Sequence, residues 1–74
     1  MKKLTVKEIK ELELNKFEEL LTEEQYNRIM KNYQYTWQVL ELLQDGARLS
    51  NLEDDEEYTT IDEYLDYLEE MKNE

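Results

Sequence analysis

Apolar residues recur at helical spacing along most of this chain, and polar cap residues mark where each run begins. Val6, Ile9 and Leu12 are followed by Phe17, Leu20 and Leu21, and then by Tyr26, Ile29, Met30, Tyr33, Trp37 and Leu40 at steps of three and four. Four starts have the form of a capping box, in which the cap side chain and a Glu or Gln three residues on satisfy two orphan amides: Thr5-x-x-Glu8, Asn15-x-x-Glu18, Thr22-x-x-Gln25 and Thr60-x-x-Glu63. The pattern predicts a helix over residues 5–13 and a short second one over 16–21, or one bent helix spanning both. A long central helix then begins after Thr22, with the stripe from Tyr26 to Leu40 facing the core.

That central helix also carries Tyr35, Val39 and Leu42 on its opposite side, which makes its middle apolar almost all round. Such a helix is covered on two sides, by other helices or by a second copy of the chain, so these three residues are the expected surface for self-association and a homodimer is an open alternative. Asp45-Gly46 is expected to break the helix, with glycine in the left-handed conformation and a short helical turn after it, the alternative being a helix that continues through Ala47, Arg48 and Leu49. Residues 51–59 have adjacent like charges and no periodicity, which predicts a connecting loop.

The last helix is expected over residues 60–73, with Thr60 as its cap. At 100° per residue, Ile61, Tyr64, Leu65, Leu68 and Met71 share one arc, while Asp62, Glu63, Asp66, Glu69 and Glu70 share another. Tyr67 falls on the border between them. With no proline and one glycine in 74 residues, the expectation is an all-α fold. It would be one small bundle of three to four helices, with a long central helix and an acidic C-terminal one. A chain of this length buries only roughly 60% of its unfolded surface, so its core is thin and a catalytic cleft between domains is not expected.

Charge sharpens this picture once it is divided along the chain. Residues 1–50 hold nine acids and eight bases, a net of −1, whereas residues 51–74 hold eleven acids and only Lys72, a net of −10. If all of residues 51–74 were helical, they would span about 36 Å with a carboxylate every ~3.3 Å, close to the roughly 3.4 Å per phosphate along one DNA strand. A field of that sign repels nucleic acid and anionic lipid and attracts basic protein surfaces. Although "VLELLQDGARLSNL" has the outline of a helix-turn-helix, its recognition helix would run into the acidic segment, so direct DNA binding is not expected.

Chemistry is constrained as well. There is no cysteine and no histidine, which removes thiolate metal sites, disulfides and the usual acid-base group. Glu53, Asp54, Asp55, Glu56 and Glu57 are consecutive, and no glycine follows at the position a calcium loop needs, so no metal or other cofactor is expected. Paired carboxylates would need a cleft and an apolar pocket to act as acid and base, and no enzymatic activity is expected. Met1-Lys2-Lys3 runs into charged sequence rather than an apolar stretch, and no segment approaches the roughly 20 apolar residues of a membrane span. The expected location is cytoplasmic, that of a host cell if the chain is phage-encoded.

Tyr26, Tyr33 and Trp37 are expected in the core, while Tyr58 and Tyr67, set among acids, are expected at an interface. In size, charge asymmetry and the interleaving of tyrosine with acids, the chain resembles in general character the small acidic inhibitors that phages and mobile elements direct against host nucleic-acid enzymes. DNA mimics and some anti-CRISPR proteins are among these, and no motif assigns the chain to one family. The expected function is therefore an inhibitor occupying a basic nucleic-acid-binding surface of a larger protein. Its contacts would come from Glu53, Asp54, Asp55, Glu56, Glu57, Tyr58, Asp62, Glu63, Asp66, Tyr67, Glu69 and Glu70. The alternatives are an antitoxin or immunity protein that neutralises a basic toxin, and a dimeric structural or regulatory helical protein.

Overall fold

The computed structural model describes residues 3–72, so Asn73, where the last helix was expected to end, lies outside the described residues. In order, the elements are β1 (Leu4–Thr5), α1 (Val6–Lys10), α2 (Leu14–Leu20), α3 (Glu23–Asn32), α4 (Thr36–Leu49), β2 (Glu57–Thr59) and α5 (Ile61–Lys72). The fold is mostly helical, as the spacing predicts, with more and shorter helices than expected. No helix among the described residues is long and apolar enough to cross a membrane.

Three of the four expected caps form. Thr5 and Thr22 make complete capping boxes with Glu8 and Gln25, and the Thr60 hydroxyl accepts the Glu63 amide at 3.1 Å. Asn15 is the exception. The second helix starts at Leu14 with Glu13 as its cap, so Asn15 sits inside the first turn and its side chain accepts only the adjacent Lys16 amide. The Asn15 side chain turns to the neighbouring amide instead of reaching that of Glu18, a local bond that competes with capping.

The expected long central helix is two helices. The chain passes through extended backbone at Tyr33 and Tyr35, and at the end of α3 the Asn32 side-chain amide turns back to the Arg28 carbonyl at 3.0 Å while the Tyr33 amide makes the last helical bond, to the Ile29 carbonyl. Gln38 then accepts the amides of Gln34 at 3.0 Å and Tyr35 at 3.1 Å and starts α4. The break lets the two halves face different partners: α3 packs on α5, and α4 packs on α1 and α2.

It also resets the buried face. The core contains Val6, Ile9, Phe17, Ile29, Val39, Leu40, Leu43, Ala47, Tyr64, Leu65 and Leu68. Of the stripe expected inside, Tyr26, Met30 and Trp37 are instead 40–47% exposed and Tyr33 is half buried, leaving Ile29 and Leu40 as its core members. Because α4 has its own origin at Thr36, its buried positions are Thr36, Val39, Leu40, Leu43 and Ala47. Val39, expected on the self-association surface, is therefore core at 1% exposure, while Tyr35 and Leu42 remain exposed.

Gly46 does not break α4, which continues to Leu49, and no glycine has positive φ. Its role is a close approach: a Cβ at Gly46 would stand 2.7 Å from the Tyr58 hydroxyl oxygen. Residues 51–59 are likewise more ordered than a loop, since Glu57–Thr59 pairs antiparallel with Leu4–Thr5, with an irregularity between Leu4 and Thr5. A two-residue partner leaves no alternating pattern to detect.

Candidate functional site

The acidic third is built into the fold by its backbone as much as by its charge. Glu53 and Glu56 close a turn, the Glu56 amide reaching the Glu53 carbonyl at 3.0 Å and the Glu53 amide reaching the Glu56 side chain at 3.1 Å. This turn presents the carbonyls of Asp54 and Glu56 to the first amides of α1, with Lys7 N to Asp54 O at 2.9 Å and Val6 N to Glu56 O at 3.0 Å. Those amides have no partner within a helix, so the turn completes the helix start. Lys10 then reaches the Asp54 carboxylate at 3.0 Å. The side chains of Glu53, Asp55 and Glu57 are left exposed without an ion pair among the described residues.

On α5 the five-carboxylate strip splits in two. Asp62, Asp66 and Glu69 face α3, where Arg28 meets Asp66 at 2.6 Å, Glu69 at 2.7 Å and Asp62 at 4.0 Å. The hydrogen bonds to Glu69 and Asp66 raise the Arg28 pKa further above its ordinary range, so it is a fixed cation. Gln25, buried at 4%, donates to Asp62 at 2.8 Å while its oxygen completes the Thr22 cap. Glu63 and Glu70, 80–120° further round the helix from Asp62 and Glu69, are exposed and have no side-chain ion pair among the described residues.

The two tyrosines expected at an interface differ. Tyr67 is 53% exposed, with its ring 5.8 Å from that of Tyr64, and is accessible to a partner. Tyr58 is half buried against Gly46 and the core, so only part of it is accessible. Burial of Tyr64, helped by neighbouring Tyr58 and Tyr67, holds its hydroxyl protonated well above the usual tyrosine range. At the end of α5, Lys72 donates to the Asn32 carbonyl and lies 4.6 Å from the centre of the Tyr33 ring.

Arg28 and Gln44 were not singled out by sequence, and Gln25 was read only as the capping partner of Thr22. Gln44 donates to the carbonyls of Ile9 at 3.1 Å and Leu12 at 2.9 Å, binding the end of α1 to α4. Arg28 had a visible signal, being the one arginine between residues 1 and 47, but its three partners are 34–41 positions away and no local pattern pairs them. No family model matches the chain, and neither a curated protein nor a solved structure matches it.

Proposed function

We propose that the chain is a small acidic protein-binding inhibitor that occupies a basic nucleic-acid-binding surface of a larger protein. The observation that supports this reading is how much charge remains after internal pairing. Lys10 and Arg28 engage Asp54, Asp62, Asp66 and Glu69, yet Glu53, Asp55, Glu57, Glu63 and Glu70 stay exposed without a cation among the described residues. Ordinary surfaces intersperse the two signs. In this reading those five acids contact Lys and Arg of the target, and Tyr67 stacks on a guanidinium group. Asp62, Asp66 and Glu69 hold α5 in place and add to the field.

Such association is fast and weakened by salt. The test is capture of partners from a bacterial lysate at low salt, elution by a salt gradient, and competition of the eluted partner's nucleic acid against the chain. Glu63→Lys with Glu70→Lys is expected to weaken capture at least tenfold at physiological salt while leaving the fold intact, since both side chains are exposed. Unchanged affinity, or a partner that binds its nucleic acid equally well with the chain present, rejects the proposal. Recovery of a basic toxin instead would favour the antitoxin reading, which uses the same surface.

A further inference from the structure

A groove of about 750 Å³ lies where β1, the α1–α2 connection, α2 and the start of α5 meet. Its wall is apolar because α1 and α2 both pack on α4 and α3 packs on α5, which leaves Leu4, Leu12, Leu20 and Ile61 from four separate segments facing a common space. Leu20 is 49% exposed. The rim is charged and mostly of one sign: Glu8, Glu11, Glu13 and Glu19 against Lys16, which pairs with Glu19 at 3.7 Å. The lining carries four carboxylates and one ammonium, and Glu8 is engaged within the chain, where it accepts the Thr5 amide. The glutamates open to a ligand are Glu11 and Glu13 beside the Lys16–Glu19 pair, which leaves the rim negative.

We infer that this groove binds a basic amphipathic segment of a partner protein, one that places apolar side chains on the leucines and Lys or Arg on the glutamate rim. The two halves of the argument select the same occupant. The apolar wall rewards burial of aliphatic or aromatic side chains. Long cationic side chains lay their methylene stems along that wall and carry their charge to the rim. An anionic lipid surface or a nucleic acid is repelled by the rim, and a second copy of this chain brings a net charge of −11 against it. The inference uses none of the five unpaired acids of the proposed inhibitor surface and stands whether or not that reading holds.

The test uses the 74-residue chain and two labelled peptides of equal charge, one with leucine and lysine at helical spacing and one with each leucine replaced by glutamine. Fluorescence anisotropy at physiological salt reads the affinity, and circular dichroism confirms each variant's fold. The leucine peptide is expected to bind, with Leu20→Asn weakening it about fivefold or more through lost apolar contact. Glu11→Gln with Glu13→Gln is expected to weaken it and flatten its salt dependence, whereas Glu63→Gln with Glu70→Gln leaves it within about twofold. Equal binding of the glutamine peptide, indifference to Leu20→Asn, or as large a loss from the Glu63 and Glu70 pair would overturn the inference. So would sedimentation of the chain alone as a dimer that Leu20→Asn dissociates, because the occupant would then be a second copy.

Discussion

At the residue scale, Gly46 shows how a tertiary contact can override a local rule. As the one glycine of the chain, following Asp45, it reads as a helix stop, yet it lies inside α4, where Tyr58 occupies the space above it. Glycine within a helix costs about 1 kcal/mol relative to alanine. In Gly46→Ala that gain is opposed by the 2.7 Å approach of the Tyr58 oxygen, so the single substitution is expected to change stability little. In Tyr58→Phe the nearest ring carbon is 3.6 Å away, an ordinary contact, and Gly46→Ala on that background is expected to stabilise by about 1 kcal/mol. A double-mutant cycle in urea checks this, and equal effects of Gly46→Ala on both backgrounds would mean that the hydroxyl is not the obstacle.

At the element scale, helix starts were legible and helix partners were not. Thr5, Thr22 and Thr60 are local signals, because cap and partner are three residues apart, and all three mark real helix starts. The join of α3 to α5 depends instead on Arg28, Asp66 and Glu69, which meet only in the folded chain. Arg28 is 25% exposed and Asp66 is 72% exposed, so solvent screens much of their attraction. Arg28→Met, which retains the apolar stem, is expected to cost about 1–2 kcal/mol, through the lost bonds and through repulsion among carboxylates left without their cation. Hydrogen exchange would show α5 opening more readily than α4 in that variant; unchanged protection would mean that apolar packing alone holds α5.

At the scale of the whole molecule, a net charge of −11 on 74 residues opposes compaction. Added salt screens that repulsion, and it also weakens the bridges at Arg28 and Lys10. Because exposed acids outnumber the bridged ones, the urea midpoint of the wild type is expected to rise between about 10 mM and about 150 mM salt, and to rise further in Arg28→Met, where three more carboxylates are uncompensated. A midpoint that falls with salt would show that the bridges outweigh the repulsion. The same balance bears on the proposed inhibitor surface, which would draw on the acids that have no cation among the described residues.

Sequence alone determined what depends on neighbours within a few positions. That includes the helical character, the three threonine caps, the amphipathic α5 with Tyr64, Leu65 and Leu68 inward, and the concentration of charge after residue 50. Tertiary structure decided what depends on distant partners. It split the central helix so that its halves meet different neighbours, buried Val39 while exposing Trp37, and fastened the acidic turn to the first amides of α1. It also divided the carboxylates into those that Arg28 and Lys10 hold and those left to solvent. The physical reason is one of range: a cap is satisfied within one helical turn, whereas a charge or an apolar face is assigned its role by whatever the fold sets opposite it.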